Sequence, residues 1–317
     1  MSKLSSLSGN VTCLRVKRKN TVVLFGEVLA DIFPDQTVLG GAPFNVARHL
    51  KAFGQNPVLV TRLGNDVLRD NVLSVMSKNG METLGVQCDN GHPTGRVQVH
   101  IEDGEHRFEI LPLQAYDFIH PEMARITTLS VHPVLVYFGT LAQRCEISRR
   151  ALKTLLRSTR AAKFLDINLR APWYDEKTLC HSFQYANIVK LNVEELGVLA
   201  EIFELSGNEP QDQVLELMSR FDFEQVLFTC GARGAWQIDR SGKKVEVEAT
   251  NLIANLVDTV GAGDGFTAVC ILGALRRWPI AITLERANVF AAAICEIRGA
   301  VPDHADFYQP FTEKWAV

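Results

Sequence analysis

The most informative stretch of the chain is Asp258-Thr259-Val260-Gly261-Ala262-Gly263-Asp264-Gly265-Phe266. Gly261 and Gly263 open a strongly apolar segment that predicts a helix over 262–276. Glycine lets backbone N–H groups come close to a ligand, and the first N–H groups of a helix, with the positive end of its dipole, form an anion site. A carboxylate at Asp264 suits a base for an incoming nucleophile. On local physics alone, a glycine-rich turn in which Asp264 only complements the helix dipole stays open.

Other familiar phosphate-binding patterns are absent from the sequence. There is no G-x-x-x-x-G-K-[ST] segment, which excludes a P-loop. No G-x-G-x-x-G follows the first predicted strand, so a dinucleotide-binding dehydrogenase is disfavoured. The protein-kinase motifs are missing as well.

Outward from this stretch, predicted strands and helices alternate along the chain. The first pair is a buried strand at 21–28 and a helix at 44–53. Further strands are predicted at 57–62, 134–138, 162–167, 188–191 and 225–229, and further helices at 66–79, 147–159, 193–204, 211–221 and 284–297. This alternation is typical of a parallel sheet covered by helices.

Two segments break the alternation. Residues 94–111 alternate polar and apolar side chains on both sides of Asp103-Gly104, which predicts a β-hairpin standing off the main sheet. Residues 235–239 and 243–248 predict a second hairpin around Ser241-Gly242.

Composition narrows the class of protein. The 317 residues carry 33 basic and 36 acidic side chains, a net charge of −3, which argues against a nucleic-acid-binding protein. No apolar run approaches the ~20 residues that span a membrane. The seven cysteines are widely spaced without a C-x-x-C pair, which favours a reducing, cytoplasmic compartment and no structural zinc. Residues 1–20 are polar and basic and are expected to form a disordered extension; a transit peptide stays open.

Two motifs together resemble the signatures of the ribokinase-like sugar kinases, the PfkB family. The first is Gly40-Gly41-Ala42-Pro43-Phe44-Asn45-Val46-Ala47, and the second is the Asp258–Phe266 stretch, about 220 residues later in the expected order. The preceding Gly-Glu-Val-Leu-Ala-Asp is similar to bacterial fructokinases. The resemblance implies a three-layer α/β/α fold with a mainly parallel central sheet. It also implies a small β-sheet lid from segments near 29–41 and 92–112, within a kinase domain over 21–317.

The resemblance assigns roles around the transferred phosphate. Asp264 resembles the catalytic base, and Gly261, Ala262 and Gly263 resemble the anion hole for the γ-phosphate. Asp166-Ile167-Asn168-Leu169-Arg170 is similar to the family's D-x-N-x-R segment, so Arg170 is expected near substrate or transferring phosphate; a surface ion pair stays open for it. Phosphoryl transfer depends mainly on positioning and charge neutralisation, which suits these groups.

The same resemblance implies substrate, nucleotide and metal residues. Sugar-binding positions are expected at Asp31, Gly40, Gly41, Asn45 and, from the lid, Phe108, for which a purely structural role in the lid stays open. ATP-binding positions are expected at Asn192, Thr229, Gly231, Gly234 and Asn288. Glu195 is expected to organise Mg²⁺ through water, and Asp258 a monovalent cation such as K⁺. For these residues, an ordinary structural role at the start of a helix or in a turn stays open as the alternative to ligand binding.

The sequence therefore predicts an ATP-dependent sugar kinase. D-Fructose, phosphorylated to fructose 6-phosphate, is the leading substrate. 2-Keto-3-deoxygluconate stays open, because Arg170 or Arg107 offers a cation for its carboxylate. A non-catalytic sugar-binding protein is disfavoured by the presence of Asp264. A homodimer through the lid is expected from the resemblance, with no nucleic-acid or membrane partner.

Overall fold

Two sheets and ten helices make up the part of the chain that the computed structural model describes, residues 20–102, 105–249 and 255–316. The strands are β1 Thr21–Phe25, β2 Leu29–Ile32, β3 Thr37–Gly40, β4 Asn56–Gly64, β5 Val86–Asp89, β6 Gly95–Glu102, β7 Glu105–Ile110, β8 Leu135–Phe138, β9 Ala162–Asp166, β10 Ile188–Asn192, β11 Gln225–Thr229, β12 Ala235–Asp239 and β13 Lys244–Val247. The helices are α1 Ala42–Ala52, α2 Val67–Lys78, α3 Pro121–Val131, α4 Glu146–Arg157, α5 Glu176–Phe183, α6 Val193–Ile202, α7 Pro210–Phe221, α8 Ala262–Arg276, α9 Ile280–Ile294 and α10 Gln309–Trp315.

The main sheet is parallel over most of its width. Its order is β13-β12-β11-β10-β9-β8-β1-β4-β5. The strands from β11 across to β5 pair in parallel, whereas β12 and β13 are antiparallel at one edge. The predicted three-layer fold with a mainly parallel central sheet is confirmed, and so is the second predicted hairpin.

Strand β1 shows why this sheet is covered on both faces. All five of its residues, Thr-Val-Val-Leu-Phe, are buried, as expected of a strand with a layer on each side. Val22 and Leu24 belong to the core shared with α1, α8 and α9, whereas Val23 and Phe25 belong to the core shared with α4 and α5. The period of two in a strand therefore divides its side chains between two helical layers.

A separate four-stranded sheet stands beside the main one. Its order is β3-β2-β6-β7, with β6 and β7 antiparallel from Val97↔Ile110 onward. The hairpin predicted over 94–111 is confirmed, and its Asp103-Gly104 turn lies outside the described residues. Strands β2 and β3, which join this sheet to β1 and α1, lie in the segment near 29–41 that the family resemblance assigned to a small β-sheet, although the local residue pattern did not predict them.

Helix α8 is buried between α1 and α9, and every residue from Gly265 to Gly273 is buried. Its apolar character on all sides is explained by this position. The start at Ala262 agrees with the sequence prediction. Helices α3 and α5 and strand β5 were not predicted. The proposed extension over residues 1–20 falls almost wholly outside the described residues.

Candidate active site

The carboxyl ends of parallel strands lie at one edge of a sheet, and open α/β sheets bind ligands there. The segments that follow β1, β9, β10 and β11 at this edge carry Glu27, Arg170, Glu195 and Gly231. The N-terminus of α8 contributes Asp264, whose neighbours come from several of these segments. The topology thus collects residues that are far apart in the sequence.

Asp264 lies in the first turn of α8, partly accessible to solvent. Asn45 donates a hydrogen bond from Nδ2 to Oδ2 of Asp264 at 2.8 Å. Burial raises the pKa of Asp264 to about 6, while the hydrogen bond from Asn45 and the charges of Lys190 and Arg170 lower it. At neutral pH the carboxylate is therefore largely ionised, yet basic enough to accept a proton.

Gly261 supplies the turn that begins α8. Its φ of +81° lies in the left-handed region, and a Cβ there would overlap Ala300, so only glycine fits without a shift of backbone. In the following first turn, Ala262 N donates to Thr259 O at 3.3 Å, whereas Gly263 and Asp264 carry N–H groups for which an ideal helix offers no carbonyl partner. The anion hole at Gly261, Ala262 and Gly263 stays a prediction.

A lysine lies directly beside this turn, and the sequence analysis missed it. The Nζ of Lys190, on β10, would be 3.4 Å from a Cβ at Gly263. It forms an ion pair with Asp166 Oδ1 at 3.0 Å, and Thr267 donates to Asp166 Oδ2 at 2.9 Å. Burial alone would lower the pKa of Lys190, but Asp166 raises it above its ordinary value. The sequence feature that could have indicated Lys190 is its position as a lone lysine inside the apolar strand Ile-Val-Lys-Leu-Asn.

The residues predicted to bind the sugar lie where the chain passes between the two sheets. Asp31 lies on β2, and its Oδ2 faces Gly40 across the β2–β3 pair. Gly41 precedes α1 with a φ of +100°, and a Cβ there would lie 2.8 Å from the carbonyl oxygen of Glu27. Asn45 is in the first turn of α1. The structure thus brings together four predicted sugar-binding residues: Asp31, Gly40, Gly41 and Asn45.

Arg170 stands at the end of the turn after β9. Asn168, two residues earlier, adopts a φ of +43°, a conformation that asparagine tolerates better than most residues. The Arg170 side chain is exposed and donates from Nη1 to its neighbour's carbonyl, Leu169 O, at 3.0 Å. Its positive charge lowers the pKa of Glu27, of Asp31 and of Asp264. The charge of Arg170 therefore acts on three carboxyl groups, and no ion pair holds Arg170 among the described residues.

A second residue missed from the sequence is Glu27, between β1 and β2. Its side chain is 4% exposed, and Oε2 has no hydrogen-bond partner among the residues that the structure describes. The pKa of Glu27 is raised to about 7, mainly by burial and to a smaller extent by the charge of Asp264, against the lowering effects of a backbone hydrogen bond and of the charges of Arg170 and Arg144. Its only sequence signal was its place in the Gly-Glu-Val-Leu-Ala-Asp segment.

Glu195 and Asn192 form a reciprocal cap at the start of α6. Asn192 Oδ1 accepts from Glu195 N at 2.8 Å, and Glu195 Oε2 accepts from Asn192 N at 2.9 Å. Glu195 Oε1 also accepts from Leu169 N at 3.1 Å, which ties the Arg170 turn to α6. The side chain is 7% exposed. The helix-cap alternative is thus correct as local structure, and Glu195 also orients a loop of the site.

Three other candidate ATP-binding residues lie at or just after the end of β11: Thr229, Gly231 and Gly234. Thr229 is the last residue of β11, and Gly231 begins the short turn that Gly234 ends. Asn288, on α9, donates from Nδ2 to Val247 O at 3.4 Å, and a Cβ at Gly234 would contact the same carbonyl. The structure therefore brings Gly234 and Asn288 together around the end of β13.

Asp258 connects two loops beside the start of α8. Its Oδ1 accepts from Val260 N at 3.0 Å, and its Oδ2 accepts from Gly299 N at 3.2 Å. Within residues 20–102, 105–249 and 255–316, no group of three or more His, Cys, Asp or Glu side chains is arranged to hold a metal ion. Monovalent-cation binding at Asp258 stays a prediction.

Phe108 lies on β7 in the smaller sheet. It is 51% exposed and packs edge to face against Phe33, with ring centroids 6.5 Å apart. The structure thus gives Phe108 a packing partner within the smaller sheet, and its contact with a sugar stays a prediction.

Comparison with known proteins gives the family. Residues 14–305 match the model of the pfkB family of carbohydrate kinases. This chain belongs to that family. The pfkB kinase described here is an ATP-dependent phosphotransferase of ribokinase-like fold. No helix in the described part of this kinase has the length and apolar character needed to cross a membrane.

Relatives of this pfkB kinase carry more than one sugar in their names. It is 24% identical over 309 residues to a protein named probable fructokinase-5 from Arabidopsis thaliana, covering 89% of this chain and 93% of that one. A Xylella fastidiosa fructokinase with bound ATP has a TM-score of 0.79 at 21% identity, with coverage of 94% and 100%. A 2-dehydro-3-deoxygluconokinase from Thermotoga maritima has a TM-score of 0.74 at 18% identity, with coverage of 93% and 99%.

Proposed function

We propose that this kinase transfers the γ-phosphoryl group of ATP to the terminal hydroxyl of D-fructose, giving fructose 6-phosphate. The observation that carries the proposal is the hydrogen bond from Asn45 to Asp264, because it joins the candidate sugar-binding residue Asn45 to the candidate base in the first turn of α8. The fructokinase relative supports fructose as the sugar.

In the proposed mechanism, Asp264 receives the proton of the attacking hydroxyl. Its raised pKa of about 6 matches this role near neutral pH. Asn45 orients the carboxylate through Nδ2, and its Oδ1, without a partner among the described residues, is available to a sugar hydroxyl. Asp31 offers two further acceptor oxygens.

The phosphate side of the reaction is stabilised by backbone and cationic groups. The N–H groups of the first turn of α8 and the helix dipole act on the negative charge of the transferring group. Lys190, 3.4 Å from the Cβ position of Gly263, adds a buried positive charge behind them. Arg170 faces the same site from the β9 turn. These fixed dipoles and charges need little reorganisation during transfer.

The residues present fit a Mg²⁺ ion that binds with ATP and contacts the protein through water. Both oxygens of Glu195 already accept backbone N–H groups, so a direct metal bond would compete with them, whereas their remaining lone pairs suit water. Asn192 and Glu195 would hold this water. When bound, Mg²⁺ neutralises charge on the β- and γ-phosphates.

Further elements of the proposal concern assembly and location. The sheet β3-β2-β6-β7 acts as the lid over the sugar and as the contact of a homodimer, with Phe108 facing the sugar. Its closure would exclude water and suppress ATP hydrolysis. Asp258 binds a monovalent cation such as K⁺. The protein is cytoplasmic, consistent with its scattered free cysteines.

A second candidate substrate is 2-keto-3-deoxygluconate. The specific observation that favours it is Arg170, whose guanidinium faces the site without an ion pair among the described residues and offers a fork for a carboxylate. The 2-dehydro-3-deoxygluconokinase from Thermotoga maritima shares the fold. Against it, Glu27 and Asp31 already surround Arg170 with acidic groups.

The test is ADP release from MgATP with fructose, 2-keto-3-deoxygluconate, ribose, glucose and adenosine, with and without K⁺. We expect the highest kcat/KM with fructose. A preference for 2-keto-3-deoxygluconate would contradict the fructose assignment and leave the kinase chemistry intact. An Asp264→Asn variant run in parallel distinguishes turnover by this enzyme from contaminating activity.

A further inference from the structure

Glu27 lies at the junction of the two sheets. Gly26 and Glu27 connect β1 of the main sheet to β2 of the smaller one, and the Glu27 carbonyl packs against Gly41, where β3 crosses back to α1. The β1–β2 connection and the β3–α1 connection therefore both pass Glu27. The Glu27 side chain is buried at this junction.

Three buried polar atoms around this junction lack hydrogen-bond partners within the described ranges: Glu27 Oε2, Arg144 Nη1 and Tyr116 OH. The guanidinium of Arg144 stacks on the Tyr116 ring at 4.9 Å, and that ring packs against Gly95, as does the Val28 carbonyl. Unpaired buried polar groups cost about 1–3 kcal/mol each, so a cluster of them indicates a bound polar group.

Of the three unpartnered groups, Arg144 is already held by other contacts of its guanidinium. Its Nε and Nη2 form a fork to Asp117 at 2.7 and 2.8 Å, and Nη2 also donates to Leu111 O. It is thus fixed by structural contacts. Glu27 Oε2 has no such partner in the described part of the chain. The Glu27 carboxyl is close enough to Arg170 and Asp264 for their charges to act on it.

We propose that Glu27 is a sugar ligand: its Oε2 accepts a hydrogen bond from a hydroxyl that is not the phosphorylated one, and so orients the sugar toward Asp264. This inference rests on the proposed sugar-kinase function of the site. The chemistry requires a ligand that donates a hydrogen bond to a buried carboxyl group, and sugar hydroxyls do so.

The test combines two variants with deoxy sugars. Glu27→Met removes the acceptor at similar size, and Glu27→Gln keeps an acceptor oxygen. We expect Glu27→Met to lose about 10- to 100-fold in kcat/KM for the sugar, as for a hydrogen bond to a charged group. Glu27→Gln should recover part of this loss. KM for ATP should stay within about twofold, because the nucleotide does not touch this group.

The deciding measurement is a double-change cycle, in which kcat/KM of wild type and of Glu27→Met is measured with 1-deoxy-, 3-deoxy- and 4-deoxyfructose and with 2,5-anhydromannitol. For one of these analogues, wild type and Glu27→Met should become equal in kcat/KM, because the hydroxyl that Glu27 binds is already missing. Glu122→Gln, a surface substitution on α3, serves as a control and should resemble wild type. Thermal melting of each variant verifies that it folds.

An equal loss with every sugar, or a parallel rise in KM for ATP, would show that Glu27 only supports the junction and would overturn the proposal. If another sugar proves to be the substrate, the cycle uses the deoxy analogues of that sugar, so a wrong substrate leaves the assignment of Glu27 testable. A wild-type enzyme that phosphorylates no sugar contradicts the proposed function and this assignment together.

Discussion

Asn45 and Asp264 are 219 positions apart in the chain, and a hydrogen bond of 2.8 Å joins their side chains. Asn45 lies in the first turn of α1, the helix that follows β3, and Asp264 lies in the first turn of α8. Because α1 and α8 pack together, the two halves of the site are fixed relative to each other. Several predictions about catalysis and stability depend on this contact and its surroundings.

Replacing Asp264 with Asn should abolish most of the activity. Without a base near the acceptor hydroxyl, we expect kcat to fall by about 10²- to 10⁴-fold, the usual contribution of general base catalysis. Sugar and ATP affinities, measured by calorimetry, should change little because the side chain keeps its size. Near-normal turnover would contradict the role of Asp264.

The pH dependence of kcat/KM should show an acidic limb. Asp264 must be ionised to act as a base, and its pKa is raised to about 6, so activity should rise as pH increases through about 6. Asp31, also raised to about 6, and Glu27, raised to about 7, titrate in the same range and couple to Asp264. A limb near the ordinary value of 3.8 would contradict this prediction.

Asp264→Asn should also make the protein more stable at neutral pH. The folded-state pKa of Asp264 is above its unfolded value of 3.8, so the folded state binds more protons between pH 3.8 and about 6, and stability falls as pH rises through this range. Removing the charge should add about 1–2 kcal/mol to the free energy of unfolding near neutral pH, after allowance for partial exposure. Urea denaturation should show this gain shrinking below about pH 5.

Asn45→Asp should shift the acidic limb upward. The substitution removes the N–H donor that stabilises ionised Asp264 and adds a second carboxylate beside it, and both changes raise the pKa of Asp264. We expect the limb to move up by about one pH unit or more and kcat/KM near neutrality to fall. Asn65→Asp on the surface is the matched control. An unchanged limb would show that the contact does not set the pKa.

Lys190→Met should destabilise the fold as well as slow catalysis. It leaves Asp166 buried without its ion-pair partner, retaining only the hydrogen bond from Thr267, and such a loss costs about 3–5 kcal/mol. Adding Asp166→Asn removes the uncompensated charge and should recover much of the stability but not kcat. If the double variant recovers both, Lys190 has only a structural role.

Local patterns in the sequence were sufficient for much of this description. The Asp258–Phe266 stretch predicted both the start of α8 and the position of the base, because a glycine-opened apolar helix is a local property. The alternation of strands and helices predicted the parallel sheet, and the Asp103-Gly104 pattern predicted the β6–β7 hairpin. The short strands β2 and β3 came only from the family resemblance, which placed β-structure near 29–41, since four residues carry too little periodicity for a local prediction.

Tertiary structure alone brought Glu27 and Lys190 into the site. Each is a single charged residue next to or inside an apolar strand, and nothing local distinguishes it from a surface position. Lys190 is buried because β10 lies between β9 and β11, which places Asp166 and the α8 turn around it. The sequence by itself thus determined most of the elements and pointed to Asp264 as the candidate base. Burial and charge pairing depend on contacts between distant segments, so only the folded chain decided which other charges belong to the site.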